Sequence, residues 1–231
     1  MSSNPPPFFL VGLDLGQARD YTALIILERL PDLNPATYHL RHLERFPLGL
    51  SYPDQIQRVT ALLENPLLKD RAFILDATGV GRPVVDTVKA AGLRPIAITI
   101  TGGEAVNREN WDTYRVPKRD LVATLQVLLQ NQRLKIADAL PQKDLLLKEL
   151  LNFKAKITLA GHETFEGDAW REGAHDDLVL ATALACWYGE NSYYKIEFKA
   201  AGPCASNHGG GQIVSDGWGA IRSTARWNRR R

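Results

Sequence analysis

Cysteine is almost missing from this chain: of 231 residues only Cys186 and Cys204 carry a thiol, and neither has a neighbour at C-x-x-C spacing. That excludes a disulfide scaffold and a thiolate zinc site, and it points to a reducing, cytoplasmic setting. Long hydrophobic runs are missing too. The longest, Leu178–Tyr188, is interrupted by Thr182 and is too short to span a bilayer, so no membrane partner is expected. The start, MSSNPPPFFLVGLDLG, has no basic n-region, and its apolar stretch ends in a charged residue rather than a cleavage site. Excess charge is also scarce, with a net of only +2.

What charge there is sits unevenly. From Lys199 onward six Lys or Arg residues face one acid, Asp216, a net of +5; the preceding 198 residues hold 22 basic and 25 acidic side chains, a net of −3. A slightly acidic body with a basic end suits a polyanionic partner. The rest of the composition, 45% hydrophobic and 23% charged, is that of an ordinary globular protein with length for one sizeable core. Residues 1–7 read as an extended, proline-rich leader, 8–195 as one domain, and 196–231 as a basic, Gly-rich, flexible tail.

Hydrophobic periodicity divides the body in two. Phe8–Leu15, Tyr21–Leu27 and Thr37–Phe46 read as three strands joined by short turns, an antiparallel meander. Helices and strands then alternate: a helix over Tyr52–Leu63, a strand over Arg71–Asp76, a helix over Pro83–Ala91 and a strand over Leu93–Ile100, which implies parallel pairing. Residues 101–116 look like a loop. Helices are expected over Val116–Asn131 and Gln142–Phe153, a hairpin over Lys154–Gly167 with its turn near Ala160–Gly161, and a last helix over Asp176–Gly189.

Three places in this pattern carry carboxylates where apolar residues would be expected. Asp14 ends the first strand, Asp76 ends the fourth, and the pair Asp176 and Asp177 heads the apolar last helix. One aspartate suffices to cap a helix, so the second needs another reason. Asp20 reads as a turn residue and Asp86 as a surface residue of its helix. Ligand sites in such sheets lie beyond strand C-terminal ends. If the first and fourth strands are parallel neighbours, Asp14, Asp76 and the helix head share one site, and their like charges call for a cation. Oxygen-only, hard ligands select Mg²⁺ or Mn²⁺ and not zinc.

GLDLGQARDYTALIIL, ILDATGVGRPVVD and HDDLVLATALA resemble, in that order, the three acidic motifs of the C-terminal nuclease domain of phage terminase large subunits, a branch of the RNase H-like (RuvC-like) superfamily. The resemblance spans roughly residues 8–190. It implies a five-stranded mixed α/β sheet with its first three strands antiparallel, flanking helices, and a β-hairpin before the last helix. It also implies a DNA endonuclease of little sequence specificity that uses two divalent ions, acts on double-stranded DNA in the host cytoplasm, and works with packaging partners. Carried over by position, Asp14 matches the first-strand acid that bridges the two ions, Asp76 the fourth-strand acid and Asp177 the last-helix ligand. Asp176 is a second ligand or a cap, and His175 falls just before them. Candidate phosphate contacts are Arg82, Arg115, Lys118, Arg119, Lys154 and Lys156.

Terminase large subunits also carry an ATPase motor, yet no G-x-x-x-x-G-K-[ST] occurs here, and GVGRPV at 79–84 cannot serve as one. The chain is therefore expected to be an isolated nuclease part or a stand-alone relative whose motor, if any, is another polypeptide; a portal protein is a further possible partner. A RuvC-type junction resolvase is the nearest rival reading. An actin-like ATPase would need a second lobe for which the chain has no room, and a non-catalytic DNA-binding module would have no use for four clustered acids.

Overall fold

The apolar run FFLVGLD forms β1 (Phe8–Asp14) at the middle of the sheet, and Leu10, Val11 and Leu13 are buried on both of its faces. A strand covered on both sides has no wet face, so its sequence is continuous rather than alternating. The computed structural model describes residues 8–16, 20–30, 35–159 and 176–191, with backbone alone over 154–159. β2 (Ala23–Leu30) returns antiparallel with Ala23 opposite Asp14, and β3 (Thr37–Arg45) is antiparallel to β2 with Arg45 opposite Ala23. The expected meander is present.

After it comes α1 (Tyr52–Leu63), started by Ser51, whose hydroxyl oxygen accepts the amide of Asp54. β4 (Arg71–Asp76) lies parallel to β1 with Leu75 opposite Leu13; α2 (Gly81–Ala90) leads to β5 (Pro95–Thr101), parallel to β4 with Ile98 opposite Asp76. The segment expected to be a loop contains β6 (Asn107–Asn110) and β7 (Thr113–Pro117), an antiparallel hairpin whose second strand joins β5 in parallel. α3 (Lys118–Gln130), β8 (Leu134–Ile136), α4 (Lys143–Leu159) and α5 (Asp177–Asn191) follow.

The sheet has eight strands, ordered β6-β7-β5-β4-β1-β2-β3-β8, rather than five. The additions are peripheral: β6 is exposed throughout and β8 has three residues, so neither carries an apolar period. The hairpin expected from Lys154 is corrected over its first part, because α4 stays helical to Leu159. Lys and Ala in KAK are good helix formers, and Ile157 and Leu159 do not outweigh an established helix. Residues 160–167, the leader and the tail 196–231 lie outside the described residues. Among the described residues no helix is long and apolar enough to cross a membrane.

Side chains of alternate parity feed two cores. On one face Leu10, Ile25, Ile74 and Ile98 meet α3, α4 and α5; on the other Val11, Leu13, Leu24 and Leu75 meet α1 and α2. Apart from half-buried Leu180, α5 is buried from Leu178 to Gly189, which explains why its sequence shows no polar stripe. Two glycines let it lie directly on the sheet. A Cβ on Gly12 would stand 2.3 Å from the carbonyl oxygen of Ala181, and one on Gly189 would stand 2.7 Å from Leu10 Cδ1. With Gly12 against Ala181 and Leu10 against Gly189, α5 runs antiparallel to β1. Its head therefore lies at the Asp14 end.

Candidate active site

Asp14 and Asp76 end neighbouring parallel strands at the same level, one residue beyond the Leu13–Leu75 pair. By alternation Asp14 follows Leu10 and Gly12, and Asp76 follows Ala72 and Ile74, onto the face covered by α5. The glycine contact delivers Asp176 and Asp177 to the same end. Electrostatics report the convergence: the Asp14 carboxyl is held well above its ordinary 3.8, first by burial and then by Asp76, Asp177, Asp176 and Asp20. The other three predicted acids thus lie within electrostatic reach of Asp14. Asp20, read from the sequence as a turn residue, joins their field.

Asp76 is buried, and its Oδ1 accepts both the amide and the hydroxyl of Thr78. The same hydroxyl oxygen accepts the Ile100 amide at 2.8 Å, so the turn after β4 is pinned to β5 and Asp76 is oriented by it. The helix head is organised from outside. The amides of Leu178 and Val179 donate to Glu149 Oε2 at 3.1 and 3.3 Å, so the cap at these two positions is supplied by a carboxylate of α4, 29 and 30 residues away in the chain. Sequence reasoning looked for that cap in Asp176. Arg45, at the end of β3, donates from Nη2 to Glu149 Oε1 at 2.5 Å and to Asp177 Oδ2 at 3.2 Å, and its guanidinium lies 4.4 Å from the Tyr21 ring centroid. Burial pushes the Glu149 carboxyl up to about 7, against the downward pull of Arg45 and of the amides it caps, while Asp177 adds to the rise.

The donor set is all carboxylate, and its strain on Asp14 is of the kind that a hard dication relieves. Among the described residues no three of His, Cys, Asp and Glu already stand around a common ion position. Asp177 bonds outward to Arg45.

The basic candidates divide. Arg82, in the first turn of α2, is exposed just past the end of β4, and Lys118 and Arg119 open α3 where β7 ends beside Thr101, at the carboxylate end of the sheet. Arg119 donates to the Glu104 carbonyl oxygen. Arg115 is exposed on β7, paired with Glu109 at 3.5 Å. Lys154 and Lys156 sit on the continuing α4 rather than on a hairpin, and their side chains lie outside the described residues.

The fold is found in solved structures. The crystal structure of the large terminase nuclease from the thermophilic phage G20c matches with a TM-score of 0.51 and 19% identity, over 82% of this chain and 85% of that one. The chain has the fold of a large terminase nuclease. The G20c nuclease with bound magnesium matches with a TM-score of 0.50 and 20% identity, over 80% and 83% of the two chains. No protein-family model and no curated protein matches the sequence. In this terminase-nuclease fold, RNase H-like in its first five strands, β6, β7 and β8 extend the two sheet edges, and among the described residues no strand covers the carboxylate end of β1 and β4.

Proposed function

We propose that the chain is a metal-dependent DNA endonuclease of the terminase type, with two Mg²⁺ or Mn²⁺ ions held by Asp14, Asp76, Asp177 and Asp176. The observation that carries this reading is Asp14, a carboxyl at the end of a buried strand whose neighbours are four further acids. The fold agrees, and the magnesium bound in the G20c nuclease is the ion that an all-oxygen donor set would select.

In this reading Asp14 is the shared ligand, flanked by Asp76 on one side and the helix-head pair on the other. Thr78 would orient Asp76, and the α5 contact at Gly12 would bring the helix head to the same end, with the carboxylates closing on the ions as they bind. Bound metal ions would supply an activated water for in-line attack and stabilisation of the leaving oxygen. Arg82, Lys118 and Arg119 would hold the phosphates of double-stranded DNA at the same end, by charge and without reading bases. The nearby Arg115 and the two α4 lysines belong to the same proposal. An ATPase motor or portal protein would be the natural partners, and the host cytoplasm the setting.

The test is cleavage of supercoiled plasmid by the purified chain. Nicked and linear products are expected with Mn²⁺ or Mg²⁺ and none in EDTA, with loss of product in Asp14→Asn and Asp76→Asn. Undiminished cutting in EDTA, or by either variant, would sink the metal mechanism.

A further inference from the structure

The Arg45–Glu149 pair closes a circuit that reaches the acid cluster without belonging to it. Glu149 spends both oxygens on it: Oε1 takes Arg45 Nη2, and Oε2 takes the first amides of α5. Arg45 Nη2 returns to Asp177 Oδ2. All three side chains are nearly enclosed, with exposures of 11% for Arg45, 4% for Glu149 and 13% for Asp177. The circuit is anchored on three elements, because the Arg45 amide donates to Gln142 Oε1 just before α4, and the guanidinium stacks on Tyr21. Arg45 Nε is buried with no hydrogen-bond partner among the described residues, so the place of the guanidinium is decided by Glu149, Asp177 and the ring.

Stability is a weak reason for this arrangement, since buried ion pairs give little net stability after desolvation. Orientation is a stronger one. Asp14 and Asp76 repel Asp177, and a carboxylate in the first turn of a helix has free rotamers to escape into. The hydrogen bond from Arg45 selects one of them. Resting on the metal-site reading above, we infer that Arg45 and Glu149 are positioning residues: they hold Asp177 in one orientation at the edge of the acid cluster and thereby set the affinity of the site for divalent ions.

The experiment measures Mn²⁺ binding to the full chain by calorimetry, in parallel with the Mn²⁺ dependence of plasmid cleavage, for wild type, Glu149→Gln, Arg45→Met and Arg45→Lys. Outer groups that orient metal ligands typically contribute roughly 10- to 100-fold in affinity. The Mn²⁺ dissociation constant and the concentration for half-maximal cleavage should rise together by that factor in Glu149→Gln and Arg45→Met. Arg45→Lys, which keeps the charge without the planar fork, should fall between them and wild type. A purely structural role would lower the melting temperature and the yield of active protein while leaving the Mn²⁺ dependence of the folded fraction unchanged. Folded variants that bind Mn²⁺ as wild type does overturn the inference, and if the two stronger substitutions fail to fold, Arg45→Lys decides. Wild type that binds no Mn²⁺ overturns the metal-site reading itself, a separate outcome.

Discussion

Asp14→Asn should make the metal-free protein more stable while destroying its proposed activity. The substitution keeps the shape of the side chain and removes one charge from a buried cluster. Adjacent strands lie about 4.8 Å apart, so ionised carboxylates on Asp14 and Asp76 repel by roughly 3 kcal/mol at an effective dielectric constant of about 20. Solvent and side-chain relaxation absorb part of this, which leaves about 1–2 kcal/mol to be recovered by the variant at alkaline pH, where Asp14 has lost its proton. For a domain of this size that is a rise of roughly 2–8 °C in melting temperature. The pH dependence follows from the raised carboxyl. The folded state keeps a proton that the unfolded chain gives up near 3.8, so wild-type stability falls as pH rises from there to the raised value and is level above it. The Asn variant lacks this slope, so its advantage grows as pH rises above 3.8. Thermal unfolding followed by circular dichroism, at pH 5 and 8 in EDTA and again with Mn²⁺, checks each part. Mn²⁺ should raise the melting temperature of wild type more than that of the variant. A variant no more stable than wild type in EDTA at pH 8 would show that the carboxylates do not crowd Asp14.

Gly12→Ala tests the contact that places the helix head: its Cβ would meet the Ala181 carbonyl oxygen at 2.3 Å, so α5 must shift, at a cost of about 1–3 kcal/mol by chemical denaturation together with weaker Mn²⁺ binding. A variant as stable as wild type would mean that the sheet yields there. Lys118→Ala with Arg119→Ala should weaken DNA binding evenly across sequences and flatten the log–log salt dependence by about 1–2, measured by anisotropy in Ca²⁺. An unchanged salt slope would place the DNA elsewhere.

The central part of the fold was legible because each element had a strong local cause. β1 and β4 are apolar runs that stop at an aspartate, and a charge at such a place is improbable without a partner. That logic also found Asp176 and Asp177. It failed where the cause was tertiary. Arg45 and Glu149 are 104 residues apart, and Glu149 lies in LLLKELL, where a single acid on a helix looks like a solvated surface charge. Asp20 was assigned to a turn because Asp is common in turns, and nothing local shows that the turn folds toward Asp14. β6 consists of NREN, whose exposed side chains carry no period, and its place at the sheet edge is set by pairing with β7. The continuation of α4 past Phe153 was hidden by Ile157, Thr158 and Leu159, residues that suit strands equally well.

The position of α5 along the chain has a consequence for when the protein becomes dangerous. Asp14 and Asp76 are made early in synthesis, but the other two acids arrive on the last described helix, and they reach the site only when that helix seats against Gly12. A chain still emerging from the ribosome, or one in which the final helix has come loose, would hold half of the proposed metal site. For the nuclease proposed above, the packing of one helix would act as a licence: competence would be granted by completed folding and withdrawn as soon as the fold opens.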